Sequence, residues 1–181
     1  EKLLIGINKI IKEQNIYQPL FIKLSPDIYE NSIDKIIDLI QRYNIQGIII
    51  SNTTDSNREN LLDLKKNEIG GLSGKPLKDI STNLIKKFYK KTRGKLKIIG
   101  VGGVDSGQSA FEKIISGANA VQLYTSMVYK GPGVVKDIKK ELISILKKEN
   151  LKNISQAIGI NAWPHRSLQL YSFRKKYFKK M

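Results

Sequence analysis

Two glycines, Gly102 and Gly103, follow a short apolar run and precede an amphipathic segment that opens near Ser106. Backbone N–H groups at a helix start carry partial positive charge, and glycine leaves no side chain in their way, so this pattern suits a phosphate. Taken alone, it suits a tight turn equally well. The next apolar run ends in Tyr124-Thr125-Ser126 ahead of another helical turn. Two such loops from adjacent final strands form a common phosphate site in α/β barrels, so the pair favours a phosphate-bearing cofactor over two unrelated turns.

Lys23 stands inside the apolar run 20–24. A lysine buried there needs an anion to offset its desolvation; at a strand end it can instead snorkel to solvent. Asn52 and Thr53 follow the run 47–51 and offer a planar amide and a hydroxyl, suited to a substrate with carboxylate and ring-amide groups. Asn at a strand end is also a common turn former. The segment Gly70-Gly71-Leu72-Ser73-Gly74-Lys75-Pro76-Leu77 closes a long connection from Asn52 to Pro76. Its three glycines let backbone approach a ligand closely. A connection of that length has the character of a lid or binding loop, since strand-to-helix links usually take two to six residues.

These residues must be held by elements that the hydrophobic pattern reveals. Four nearly continuous apolar runs, 20–24, 47–51, 97–101 and 120–124, read as short parallel strands covered on both sides. Between them lie amphipathic segments: Asn31 to Asn44, with Asn31 or Ser32 as N-cap, Leu77 to Lys91, Ser106 to Ser116 ending at Gly117, and Val134 to Lys148. The order is one helix followed by four strand–helix units. Such alternation predicts an α/β fold with a parallel sheet and right-handed crossovers, and every polar or glycine-rich motif named above falls at the C-terminal end of a strand, the rim on which ligands bind. Periodicity alone leaves half a barrel and a small open sheet both standing. At 181 residues the chain is too short for a complete eight-unit barrel, which typically needs about 250.

Composition excludes several other chemistries. There is no cysteine, so disulfides and thiolate metal sites are ruled out, and the single histidine, His165, has no second ligand near it in sequence. The formal net charge of +16 raises nucleic acid or an anionic membrane as a partner. The lysines are spread over every predicted helix without interleaved stacking residues, which favours a solvated surface and no nucleic-acid partner. No run of about 18 apolar residues is present to span a bilayer. After Gly159 the pattern changes: residues 160–181 carry Trp163, Tyr171, Phe173, Tyr177 and Phe178 with six Lys or Arg side chains, His165 and no acidic residue, and read as a basic aromatic C-terminal tail separate from a unit at 1–159.

In order along the chain, Phe21-Ile22-Lys23-Leu24-Ser25-Pro26-Asp27, Ile50-Ser51-Asn52-Thr53-Thr54, Gly70 to Leu77, Ile99-Gly100-Val101-Gly102-Gly103-Val104 and Val121-Gln122-Leu123-Tyr124-Thr125-Ser126 resemble the motifs of dihydroorotate dehydrogenases. The block from Gly70 to Leu77 with Asn52-Thr53-Thr54 is similar to the class 2, quinone-reducing enzymes. The resemblance covers about residues 1–159 and implies the C-terminal half of a TIM (β/α)8 barrel. It implies FMN as cofactor, with Lys23, Ser51, Gly74, Gly102 and Gly103 contacting it and Tyr124 with Thr125 holding its phosphate. Asn52 and Thr53 would bind dihydroorotate or orotate. Many relatives have threonine at the position of Ser51 and serine at that of Thr125; both exchanges keep a hydroxyl.

The resembling enzymes remove a proton from C5 of dihydroorotate with a serine base while hydride passes from C6 to the flavin, which a quinone reoxidises. Neither Ser25 nor Ser51 sits in the base's motif, so the base is expected before Glu1, together with the first barrel strands and a membrane-docking helical extension. The implied partners are therefore an N-terminal half of the barrel, quinone, and a peripheral membrane contact made by that preceding region, on the bacterial cytoplasmic or mitochondrial inner membrane. Two other classes stand beside this one: a non-catalytic FMN- or phosphate-binding half-barrel, which needs the two loops but not Lys23, Asn52 and Thr53, and a basic interaction protein, whose binding would depend steeply on salt.

Overall fold

Isoleucine sets the sheet. In the computed structural model, which describes residues 1–56, 58–59 and 61–163, four parallel strands lie in the order β1 (Phe21–Leu24), β2 (Gly47–Ile50), β3 (Lys97–Gly100) and β4 (Ala120–Val121). Register places Phe21, Gly47 and Lys97 at one level and Lys23, Ile49, Ile99 and Ala120 two residues on. Because side chains alternate along a strand, these residues share one face, and Ile22, Ile48, Ile98, Leu24, Ile50, Gly100 and Val121 share the other.

The second face is packed against helices. Ile48, Ile50 and Ile98 are fully buried and cluster with Ile33, Ile37 and Ile40 of α2 (Ile33–Arg42) and with Leu84, Ile85 and Phe88 of α3 (Lys78–Lys91). At roughly 2 kcal/mol for each fully buried isoleucine, this face supplies the driving force for the sheet. On the first face Lys23 and Lys97 are exposed and Phe21, Ile49 and Ile99 only half-buried. Among the described residues the sheet is thus covered on one side, not two. The continuous apolar strands reflect an inner barrel face that four strands cannot close. β1 and β4 are its open edges.

The remaining helices are α1 (Lys2–Glu13), α4 (Gly107–Ser116), α5 (Thr125–Lys130) and α6 (Val134–Lys148). Residues Phe111, Ile114 and Ile115 of α4 meet Ala157 and Ile160, with Leu142, Ile145 and Leu146 of α6 packed alongside. Val104, Ala110, Val134 and Ile138 form a third cluster nearer the rim. Ile160 and Ala162 are buried, so packing continues into the first residues of the segment 160–181. His165, Tyr171, Phe173, Tyr177 and Phe178 lie outside the described residues.

Three boundaries differ from the sequence expectation. The chain enters α2 through a 3-10 turn at Glu30–Ser32; Ser32 already has helical backbone angles and its hydroxyl turns to Asn31, so neither caps α2. α3 likewise follows a 3-10 turn, Lys75–Leu77. β4 stops at Val121 instead of reaching Tyr124, because after Gln122 donates to the Gly100 carbonyl the chain bends to start α5. Gly117 ends α4 at φ 128°, as expected.

The seam between α3 and α4 encloses one lysine. Lys113 is fully buried, its stem lying over Gly100, and its ammonium donates to Ser81 Oγ at 2.5 Å, Thr82 Oγ1 at 3.1 Å and the Lys78 carbonyl at 3.4 Å. Burial lowers its pKa from 10.5 to about 7, against the pull of the Glu112 carboxylate. The unfolded chain therefore binds the extra proton across that window, and the contribution of Lys113 to stability rises with pH from about 7 to about 10.5. Lys113→Met in the full-length protein is expected to be at least as stable as the wild type at about pH 6, with the difference shifting in favour of the wild type as pH approaches about 10. Thermal unfolding of both proteins across that range measures it.

Candidate functional site

The carboxyl ends of the four strands open into a cleft of about 360 Å³. Lys23, Ser51, Asn52, Thr53, Gly74, Gly102, Gly103, Tyr124 and Thr125 all line it. The nine positions run from Lys23 to Thr125 yet meet in one cavity. Lys23 reaches it from the uncovered face of β1, exposed and not buried, so the snorkelling alternative describes its solvation and the cleft its direction.

β2 delivers Ser51, Asn52 and Thr53. Ser51 is buried and its hydroxyl donates to the Asn52 carbonyl at 2.9 Å, while the Asn52 amide donates to the Leu24 carbonyl at 2.8 Å and ties this turn to the end of β1. Thr54, fully buried, donates from Oγ1 to Asp27 at 2.5 Å and accepts from the Ser56 amide at 3.0 Å. The second oxygen of Asp27 accepts from the Asp55 amide at 3.2 Å. A carboxylate from the β1 loop thereby braces the β2 loop directly behind Asn52 and Thr53.

The long connection folds back on itself. Thr54 and Leu72 exchange backbone hydrogen bonds of 3.1 and 2.7 Å, and the Arg58 guanidinium donates to the carbonyls of Lys66, Glu68 and Gly70. This returns Gly71 to the side chain of Thr53 so closely that a Cβ would lie 2.0 Å from its hydroxyl oxygen. Gly74 then meets Thr125, whose Oγ1 donates to Ser73 Oγ at 3.0 Å.

The two loops expected to cradle phosphate lie side by side, but the donors differ from those the sequence suggested. The N-terminus of α4 is occupied by the protein itself: the Gly107 amide donates to Glu141 at 2.5 Å, the Ser109 amide to Ser106 Oγ at 3.2 Å, and Ser109 Oγ accepts from the amides of Asp105 and Ser106. A carboxylate and a capping box have taken the place of an anion there. The available donors are the loop amides of Gly102, Gly103, Tyr124 and Thr125, which have no acceptor among the described residues. Gly103 is held at φ +68° against the backbone of Lys78, which a Cβ would approach to 2.8 Å. Tyr124 is exposed, its ring on the cleft wall.

Sequence reasoning gave no role to Asp105, Tyr129 or Lys130, which also line the cleft. Lys130 donates to the Asp105 carbonyl at 2.8 Å and bridges the two loops. The signal was available: Tyr129 lies four residues after Thr125 in α5, one helical turn further along the same face. No cluster of metal-ligating side chains occurs among the described residues, and no helix there is long and apolar enough to cross a membrane.

Four strand–helix units, with a cleft formed by the loops at the carboxyl ends of the strands, define half of an α/β barrel. Family comparison agrees: the dihydroorotate dehydrogenase model matches residues 2–146. The dihydroorotate dehydrogenase (quinone) of Trichodesmium erythraeum is 43% identical over 157 residues, covering 82% of this chain and 41% of that protein. The mitochondrial dihydroorotate dehydrogenase (quinone) of Mus musculus is 40% identical over 160 residues, 86% of this chain and 40% of the relative. A crystal structure of the Eimeria tenella dihydroorotate dehydrogenase superposes with a TM-score of 0.78 at 40% identity, covering 81% of this chain and 41% of that one. The chain belongs to the dihydroorotate dehydrogenase family. It spans about two fifths of the length of the relatives it matches.

The brace behind the β2 loop gives a measurable consequence. Thr54→Val removes the hydroxyl between Asp27 and Ser56 while keeping the shape, and in the full-length protein is expected to cost about 2 kcal/mol. The check is a lower denaturant midpoint at unchanged slope.

Proposed function

We propose that this chain is the C-terminal part of a quinone-dependent dihydroorotate dehydrogenase, which oxidises dihydroorotate to orotate with FMN in pyrimidine (UMP) biosynthesis. The observation that carries the reading is the convergence of Lys23, Asn52 and Thr53 with the two amide-presenting loops in a single cleft. A module that only held a phosphate would need the loops alone.

The cleft fits the cofactor. Free amides on Gly102, Gly103, Tyr124 and Thr125 match a phosphate, and the Cα of Gly74 stands where a side chain would meet Thr125. These residues would hold the phosphate end of FMN, with Lys23 and Ser51 toward its ring system. When bound, FMN supplies the hydride acceptor. Lys23 presents a cation at the cleft, which favours negative charge arising there during reduction. Asn52 and Thr53 supply donors and acceptors for the carboxylate and ring amides of the substrate, held steady by the Leu24 carbonyl and the close approach of Gly71.

The proton at C5 of dihydroorotate falls to a serine base supplied by the N-terminal part of the barrel, which would also cover the open face of the sheet. That part is proposed to carry the quinone access and the peripheral membrane contact, placing the complete protein at a bacterial cytoplasmic or mitochondrial inner membrane.

Anaerobic addition of dihydroorotate to the purified full-length protein is expected to bleach its flavin absorbance; a protein that carries no flavin, or flavin that does not respond, overturns the reading. Asn52→Ala is expected to raise the orotate Kd roughly ten- to a hundredfold, as befits a lost hydrogen bond to a charged group, with flavin content unchanged. Titration of the oxidised protein with orotate measures it.

A further inference from the structure

Lys113 lies outside the cleft, on the opposite side of the sheet's end, yet its hydrogen bonds lead into it. The ammonium group can only donate. Ser81 Oγ must accept from it, at 2.5 Å, so the one proton of Ser81 is turned toward a carbonyl. The two within reach are Lys78 at 3.3 Å and Gly102 at 3.4 Å. Thr82 is constrained in the same way: it accepts from Lys113 and sends its own proton to the Lys78 carbonyl at 2.6 Å. With that acceptor engaged by Thr82 and by Lys113 itself, the Ser81 hydroxyl serves Gly102.

The peptide plane carries this into the site. In a trans peptide the C=O and the following N–H point in opposite directions. Holding the Gly102 carbonyl toward α3 therefore turns the Gly103 N–H the other way, toward the cleft that both glycines line. The turn is seated tightly enough to follow: an added Cβ on Gly102 would stand 3.1 Å from Ser81 Oγ, and one on Gly103 would overlap Lys78.

We propose that Lys113 is a positioning residue for the anion site: acting through Ser81 it orients the Gly102–Gly103 peptide so that its amide faces the ligand phosphate, and it adds a buried positive charge behind that amide. This rests on the reading of the two loops as a phosphate site. Other charges facing Lys113 are Lys78 and Asp79 from α3 and Glu112 from its own helix. Lys78 pairs with Glu112 at 3.1 Å, and β3 presents only the uncharged Gly100. A ligand dianion on the far side of the turn favours the protonated lysine, so ligand and proton support each other's binding. With a pKa of about 7 in the free protein, Lys113 loses its charge as pH rises, and phosphate affinity falls with it. The ester's own second ionisation lies at about pH 6 and can only strengthen binding as pH rises, so a decline above about pH 7 belongs to Lys113.

The test uses the full-length protein stripped of flavin and titrated with FMN and with riboflavin, which lacks the phosphate, between about pH 6 and about pH 9. Wild-type FMN affinity is expected to decline above about pH 7 and riboflavin affinity to stay level. Lys113→Met should weaken FMN about tenfold at the low-pH end, the factor one pKa unit of coupling gives, spare riboflavin, and abolish the decline. Ser81→Ala should weaken FMN selectively as well, and the double variant should lose no more than Lys113→Met alone. Should Lys113→Met fail to unfold cooperatively, Ser81→Ala and the wild-type pH profile decide the matter: equal loss of FMN and riboflavin, or a flat profile, overturns the proposal. So does a folded Lys113→Met that binds FMN like the wild type at every pH. A wild type that binds riboflavin as tightly as FMN overturns the phosphate reading itself, and this inference with it.

Discussion

In a parallel sheet the carboxyl ends of all strands fall on one edge, and whatever follows each strand must turn there before a helix can carry the chain back. That constraint gathers short groups of residues, the outermost about a hundred positions apart, into one cleft. The register of β1 to β3 holds over four consecutive pairs, so Ser51, Val101 and the loop after Leu24 emerge at one level. Hydrogen bonds from Ser51 to Val101 and from Asn52 to Leu24 extend the ladder past the last strand residue and make the turns themselves part of the sheet. Burial of Ile48, Ile50 and Ile98 under α2 and α3 fixes that register, since a slip of one residue would send them to the uncovered face.

The rim then divides its polar groups between structure and ligand. At α4 the helix terminus is capped internally by Ser106, Ser109 and Glu141, whereas the neighbouring glycine turn and the start of α5 keep their amides open. The open amides therefore lie in the glycine turn and at the start of α5, and not at the capped terminus of α4.

Much of this was legible in the sequence, and the reasons for success and failure are physical. Apolar runs of strand length mark β1 to β3 because one face of each strand packs against α2 and α3 while the side chains of the other stay half-buried apart from Lys23 and Lys97, and Gly117 marks the end of α4 through its positive φ. The end of β4 was not legible, since Leu123 and Tyr124 continue the apolar pattern although the chain has left the ladder. Glu141 could not be foreseen as the cap of Gly107, from which 34 residues separate it. Lys113 was hidden by composition: with 32 lysines and arginines in the chain, one more on a helix attracts no notice. A signal existed nonetheless, because Gly107–Ser116 offers only Gln108 and Glu112 as plainly solvent-seeking neighbours, and a helix so nearly apolar all round is buried on most sides. The Asp27–Thr54 brace was likewise out of reach, since nothing in the spacing of two loops reports a contact between them.

Arg58 holds the long connection by three main-chain carbonyls and by no side-chain partner closer than the 4.0 Å contact with Asp55. A loop shaped through its carbonyls is indifferent to what side chains those residues bear. Leu62, Leu64 and Ile69 stand fully exposed along it, contributing nothing to its form. Substitutions at such positions are neutral to the loop's path as long as the arginine persists. The segment can therefore drift, acquiring new surface chemistry at the mouth of the cleft, while the returning glycines continue to arrive against Thr53 and Thr125.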